Sequence, residues 1–463
     1  MRIFDRIHAF LSQFSGKSIA AGWKAAALVA VVSLGLLVYE APAVQTVDTP
    51  RVESQSGSAV SNGAAESSSE AASSMPQSTL SGTNTSTTGS GPSSTSQNNS
   101  SSSLHQSLAE KTAGISNTYK TSGLSLVAFR GEEVLFSYYD GFADYKKTQP
   151  VNAATKFRIA SVSKTITGLL ALQLAGEGRL DLDRDISEYM GIRVRNPRYP
   201  DEVITTRMLM THSSGIVGGS VYTKNTGEPP FDDFETVMNS SGFFGSGRPG
   251  GYFRYSNVGA AMIGGVIEGA TGKRFSDYAT ERFQALGIDA GYLRDKILTP
   301  GTIAQDFGRY MQADVPNWGR VTEAYDNIPL GQMYLLGHGD LIISAEDLAK
   351  LAMVMAGDGT YRGQTVLPPA QLKDMLTAHR RADTLDDHTG LNVLITDHLV
   401  EGRTIYGHSG HANGMVAGLY FDPTDHTGMV FLTNGCSSAT YESNGKYKIT
   451  TDLLELLYEE LFV

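Results

Sequence analysis

The stretch Phe157–Gly168 reads FRIASVSKTITG, with Ser161 three residues ahead of Lys164 and an apolar run directly behind them. On a helix, residues three apart share a face. A serine hydroxyl is a weak nucleophile without a base, and a lysine kept from water becomes a base as its pKa falls. The N-terminus of a helix adds oriented N–H groups that favour negative charge where an oxyanion would form. The same residues also fit the polar start of a buried helix with a solvated lysine. Serine and lysine meet at this spacing by accident often enough that the pattern alone leaves both readings open.

Two further stretches bear on the choice. GYFRYSNVG places Tyr255 two residues before Asn257, and in an extended segment such residues point the same way. A phenol relays a proton and a carboxamide holds an amide or the lysine; a surface turn fits as well. IYGHSGHANG places His408-Ser409-Gly410 at the end of a strand, followed by His411. A glycine there lets substrate lie against strand backbone, with the following N–H free to face an oxyanion. Alone, His408 equally fits a histidine satisfying a strand end. Taken in order, S-x-x-K, Y-x-N and H-x-G at wide spacing coincide by chance far less often than each does singly. A nucleophile elbow of the G-x-S-x-G type is absent, since Gly407-His408-Ser409-Gly410-His411 has its glycine one place early.

These three elements, in this order, resemble the class C β-lactamase and penicillin-binding-protein-like serine hydrolase family over roughly Ser122 to Phe462. GFAD, GRLDLDRDISEYM, ITTRMLMTHSSGI and GDLIISAEDLAKL carry the same resemblance. It implies that Ser161 attacks a carbonyl and forms an acyl-enzyme, and that Lys164 takes or shuttles its proton. Tyr255 would serve as general acid/base for the leaving group and the deacylating water, and Asn257 would orient the acyl group. His408, Ser409, Gly410 and His411 would form the substrate-binding wall, with the N–H groups of Ser161 and His411 as oxyanion hole. The resemblance implies no metal and no organic cofactor, and gives His212 and Asp340 scaffold roles. One departure stands out: many relatives carry Lys-Thr-Gly where this chain has His408-Ser409-Gly410. An imidazole is only partly charged near neutrality, so the anchor for a penicillin or D-Ala carboxylate is weakened. His-x-Gly versions resemble D-aminopeptidases and esterases more than efficient β-lactamases.

The rest of the chain fixes organisation. In 463 residues there is one cysteine, Cys436, so no intramolecular disulfide or cysteine-rich metal site can form. The formal charge is −11 without a basic block beyond the N-terminus, which gives nucleic acid no footprint. No H-E-x-x-H and no phosphate-binding glycine loop occurs. Residues 1–43 carry Arg2, Arg6, Lys17 and Lys24, then an apolar run Ala25–Tyr39 and Ala41-Pro42-Ala43, the layout of a secretory signal or N-terminal membrane anchor. Residues 44–107, rich in Ser, Thr, Gly and Asn, read as a disordered tether with an r.m.s. span of about 45 Å.

Residues 108–463 read as the folded domain, an α/β fold of the α+β kind. A hairpin over Leu124–Asp144 turns at Arg130–Glu133, and Ser161–Ala175 forms a helix ended by Gly176 and Gly178. A helical insertion occupies about 180–335, a capped helix Ser344–Met355, and three late strands precede a closing helix at Ile449–Leu461. Strands from both chain ends thus build one antiparallel sheet. The expected protein is an exported, tethered serine hydrolase of the outer face of a Gram-positive-type envelope, acting on D-amino-acid amides or esters such as stem peptides or D-alanyl esters. A β-lactamase or D,D-carboxypeptidase is the alternative within the family. A catalytically silent surface binding module is the alternative outside it, against which the presence of Ser161, Lys164, Tyr255 and Asn257 together speaks.

Overall fold

A computed structural model describes residues 95–219, 234–299, 301–306, 328–382, 387–412, 414–436 and 446–463. The charged and apolar segment 1–43 and most of the tether lie outside the described residues. Among the described residues no helix is long and apolar enough to cross a membrane.

The strands are β1 (Gly123–Arg130), β2 (Glu133–Gly141), β3 (Lys156–Arg158), β4 (Ile342–Ser344), β5 (Thr360–Tyr361), β6 (Gln364–Thr365), β7 (Arg380–Arg381), β8 (His388–Thr389), β9 (Leu394–Thr396), β10 (Ile405–Ala412), β11 (Met415–Asp422) and β12 (Thr427–Asn434). Eight of them form one sheet in the order β2-β1-β12-β11-β10-β9-β8-β7. Its pairs are antiparallel throughout. The pairing of β1 with β12 joins the two ends of the domain, as the early and late strand signals predict.

The central strands are buried along almost their whole length, which fits a sheet covered on both faces. One face of β1, with Val127 and Phe129, meets a core that includes helices α2 (Val162–Gly176), α3 (Asn257–Thr271) and α4 (Ala345–Ala356). Leu124, Leu126 and Ala128 turn the other way, onto α5 (Lys448–Glu460) and a helix over Thr95–Tyr119, α1. α1 reaches back into the stretch read as tether. Its stripe of Leu108, Thr112, Ser116 and Tyr119, all buried, has a helical period, but two of the four are small hydroxyl residues that look like linker composition. The Tyr119 hydroxyl donates to Asp452 Oδ2 at 2.6 Å, and Lys111 pairs with Glu460, fixing α1 to α5.

α2 departs from the amphipathic helix its spacing suggests. Every residue from Val162 to Leu174 is buried, because the sheet covers one side and α3 the other. A helix buried all round is a core helix, so a lysine near its start has no route to water. β3 pairs with β4, and this short ladder delivers the chain to Ala160 and Ser161. Caps follow the sequence: Ser344 accepts from the Asp347 N–H at the start of α4, and Ser256 from the Gly259 N–H at the start of α3.

Candidate active site

Ser161 is the N-cap of α2, but its side chain makes no capping bond. The hydroxyl is therefore available to Lys164, whose Nζ lies 3.0 Å from Ser161 Oγ and donates to the His338 carbonyl at 2.8 Å. Directly before Ser161, Ala160 has φ 43°, a left-handed conformation that costs a residue with a Cβ roughly 1 kcal/mol or more. Strain of this kind, held by the ladder on one side and the helix on the other, fixes the direction of the Ser161 side chain.

Lys164 is 0% exposed. Burial pushes its pKa well below the usual lysine range; Asp340 acts in the opposite sense and Arg158 adds to the fall. Among the described residues no carboxylate comes within ion-pair distance of it. Asp340 and the buried Asp306 are each 3.6 Å from Arg158 instead, and Arg158 Nε donates to the Gly339 carbonyl at 2.9 Å. Asp306 is pushed up to about 6 by burial, against the pull of Arg158. The nearby carboxylates thus pair with the Arg158 guanidinium and form no ion pair with the amine.

Tyr255 stands over this pair. Its ring centroid is 5.0 Å from Lys164 Nζ, 4.5 Å from the His212 ring and 6.1 Å from the His408 ring. It is 41% exposed, the outermost of the group. The expected shared surface for Tyr255 and Asn257 is not an extended strand. Ser256 is extended, and Asn257 is the first residue of α3, because the Ser256 side chain caps that helix. The helix start sets the direction of the carboxamide.

The third element divides by strand alternation. His408 and Gly410 face Ser161, while Ser409 and His411 face the other side, where the His411 ring lies 4.8 Å from Tyr447. The His411 ring packs on Tyr447, and strand alternation puts the Ser409 side chain on the same side of β10. Gly410 is there for close packing of protein on protein. A Cβ at this position would run into the Ile159 carbonyl and lie 3.3 Å from the Ser161 amide nitrogen. Gly410→Ala is expected to cost roughly 2 kcal/mol or more, since backbone must yield to backbone. Denaturant unfolding checks the stability, and ester hydrolysis at a temperature where the variant is folded checks the site.

His408 is 4% exposed and its Nδ1 lies 2.6 Å from the Ser409 carbonyl oxygen. A carbonyl only accepts, so Nδ1 carries the proton and Nε2 is a lone pair; Nε2 is buried and has no hydrogen-bond partner. Burial first, then the charge of Lys164, pull His408 down to about 3. The partial charge expected near neutrality is thus absent. Lys446, buried and 2.9 Å from Asp387 Oδ2, adds to this push from a sequence position that gave no sign of it. His338 is likewise held down to about 4, chiefly by burial. It serves Lys164 through its backbone carbonyl, which every residue has, so no residue type could signal it. Among the described residues no cluster of three or more His, Cys, Asp or Glu side chains is placed to hold a metal ion.

Comparison with known proteins follows this geometry. A family model described as Beta-lactamase matches residues 107–450. Protein flp of Staphylococcus aureus (strain N315) is 29% identical over 161 residues, covering 34% of this chain and 32% of that protein. The chain spans between about a third and a half of the length of the curated relatives it matches. Among solved structures, the octameric penicillin-binding protein homologue from Pyrococcus abyssi superposes with TM-score 0.58 at 21% identity, over 78% of this chain and 77% of that one. The D-amino acid amidase from Ochrobactrum anthropi SV3 complexed with L-phenylalanine amide gives TM-score 0.55 at 20% identity, over 76% of this chain and 99% of that one. Both show the fold: an antiparallel sheet flanked by helices of the β-lactamase/transpeptidase kind.

Proposed function

The chain belongs to the β-lactamase family of serine hydrolases, and from that premise we propose that it hydrolyses amide or ester bonds through an acyl-enzyme on Ser161. The observation that carries this is a fully buried lysine amine 3.0 Å from the Ser161 hydroxyl, with no carboxylate among the described residues within ion-pair distance of it. In its neutral form, which burial favours, the Lys164 lone pair accepts the hydroxyl proton as Oγ attacks the carbonyl carbon. The N–H groups of Ser161 and His411 take the oxyanion, and Gly410 allows these two amides to lie close. Tyr255 protonates the leaving group, then accepts a proton from the water that releases the acyl group, while Lys164 returns its proton to Ser161 Oγ as the ester breaks. Asn257 orients the acyl chain.

For the substrate we infer a D-amino-acid amide or ester of the cell envelope. The His408 wall is an uncharged acceptor, so it offers nothing to a carboxylate, whereas an ammonium or amide N–H suits its lone pair. The D-amino acid amidase among the fold neighbours supports the same direction. Action outside the cell, with a membrane-bound or cleaved N-terminal segment, is proposed from the order of charge, apolar run and small residues in 1–43. Mass spectrometry of the exported protein incubated with D- and L-amino-acid amides and small esters tests the reading. An acyl adduct on the Ser161 peptide is expected, with D-amides and esters turned over. Rapid nitrocefin turnover in place of these would give the function to β-lactam hydrolysis, and no labelling of Ser161 by a fluorophosphonate would return the chain to a binding role.

His408→Lys is expected to restore a cationic wall. Labelling by a fluorescent penicillin rises by at least about tenfold, and turnover of a D-amino-acid amide falls by a similar factor. Unchanged ratios between the two substrates would remove His408 from substrate selection.

A further inference from the structure

His212 lies in Thr211-His212-Ser213-Ser214-Gly215, just after the helix Thr206–Met210. The acyl-transfer scheme gives it no task. Yet its backbone is left-handed, with φ 53°, a conformation that persists in a residue with a Cβ only where the surroundings demand it. Three contacts state the demand. The His212 carbonyl accepts the Arg254 N–H at 2.7 Å. Its ring Nδ1 accepts the Ser256 N–H at 3.2 Å. Between these two, the Tyr255 ring lies 4.5 Å from the imidazole. His212 therefore holds the residue before the phenol and the residue after it, and packs on the phenol itself. The Phe253 ring meets the imidazole edge-on at 5.6 Å, and the Ser213 carbonyl takes the Gly250 N–H at 2.9 Å, extending the same hold along the loop.

An amide N–H only donates, so Nδ1 of His212 is a lone pair and its proton is on Nε2. His408, on the other side of Tyr255, is the opposite tautomer. Burial, the largest influence on it, holds the His212 pKa well below the usual histidine range, so the lone pair toward Ser256 is preserved. Protonation would turn an acceptor into a second donor facing that amide.

We propose that His212 is the positioning residue of Tyr255, setting the place of the phenol through its unprotonated Nδ1, its carbonyl and its ring face. This rests on the acid/base role given to Tyr255 above. It differs from a scaffold role, in which His212 would support the fold without reference to the phenol.

A double-mutant cycle on the full chain, reading hydrolysis of a small ester, separates the two. His212→Asn keeps a side-chain acceptor and tolerates the left-handed backbone, but loses the ring face. It is expected to lower kcat by about tenfold or more with KM little changed, as a displaced catalytic group does. Stoichiometric labelling of Ser161 by a fluorophosphonate, whose fluoride leaves without a proton donor, shows that the variant site is folded. In a Tyr255→Phe background the same substitution is expected to lower kcat no further. Wild-type kcat for His212→Asn, or an equal further loss in the Tyr255→Phe background, would overturn the proposal. If Tyr255→Phe alone leaves kcat unchanged, the acid/base reading of Tyr255 is what fails. The clamp is then decided, as it is if His212→Asn does not fold, by the ring 15N spectrum of the wild-type chain. Unprotonated Nδ1 with protonated Nε2 on His212 supports it, and a proton on Nδ1 overturns it.

Discussion

Ser161→Ala is expected to lower kcat/KM on a small ester by at least about 10^4-fold and to abolish labelling by fluorophosphonates. The size follows from what is removed. The oxyanion amides and the wall remain, so binding survives, but no atom is left to form the acyl bond. Water in place of the hydroxyl would have to enter a site in which Lys164 Nζ is already held by the His338 carbonyl. The Ser161 side chain makes no capping bond, so its loss removes one hydrogen bond, that to Lys164, and should lower stability by about 1 kcal/mol or less. A steady-state assay and a denaturant titration on the same preparation give both readings. A variant within about tenfold of wild type would place the nucleophile elsewhere.

Lys164→Met should move the two readings in opposite directions. Activity is expected to fall by about 10^3-fold or more, since the hydroxyl loses the group that takes its proton. Stability is expected to rise by roughly 1–2 kcal/mol, because a thioether of similar length fills the same space without an amine to desolvate. The sign follows from linkage. The folded pKa of Lys164 lies well below its ordinary value of 10.5, so at lower pH the unfolded chain binds a proton that the folded chain does not. The cost to stability is absent above about pH 10.5, grows as pH falls, and levels off below the folded pKa. The urea midpoint of wild type relative to Lys164→Met should therefore fall steadily from alkaline to neutral pH at constant slope. In the wild type, kcat/KM should rise with pH through that same folded pKa and then flatten. A midpoint lowered by the substitution would mean that the amine stabilises the fold, contrary to its buried setting.

Much of this arrangement is legible in the sequence for a physical reason. The roles proposed for Ser161, Lys164, Tyr255 and His408 rest on side-chain chemistry, and residue type at a spacing records chemistry. The hairpin, the late strands and the cap at Ser344 are local, and local preference decided them; the cap at Ser256 was not read from the sequence. What eluded the sequence is of another kind. That α2 is buried all round depends on the sheet and α3 closing on it from opposite sides, and its spacing alone suggests one apolar stripe. That Ser409 and His411 share one side of β10 is plain from alternation, but only once a strand is known to face Ser161 with Gly410. The proton state of His408 depends on burial first, then on Lys164, with a smaller push from Lys446, which lies ahead of α5. α1 was hidden because two of its four buried positions are Thr112 and Ser116.

The placement of α1 has a mechanical side. The chain enters the domain through this helix, on the face of the sheet opposite the one where α2 carries Ser161. A pull on the N-terminal segment is borne first as shear between α1 and α5, resisted by the Lys111–Glu460 pair and the Tyr119–Asp452 bond. The short β3–β4 ladder and the Gly410 contact that hold the nucleophile lie outside that line of force. If the N-terminal stretch is the tether proposed above, a pull on it would meet α1 and α5 before it reached the helix that carries Ser161 and Lys164.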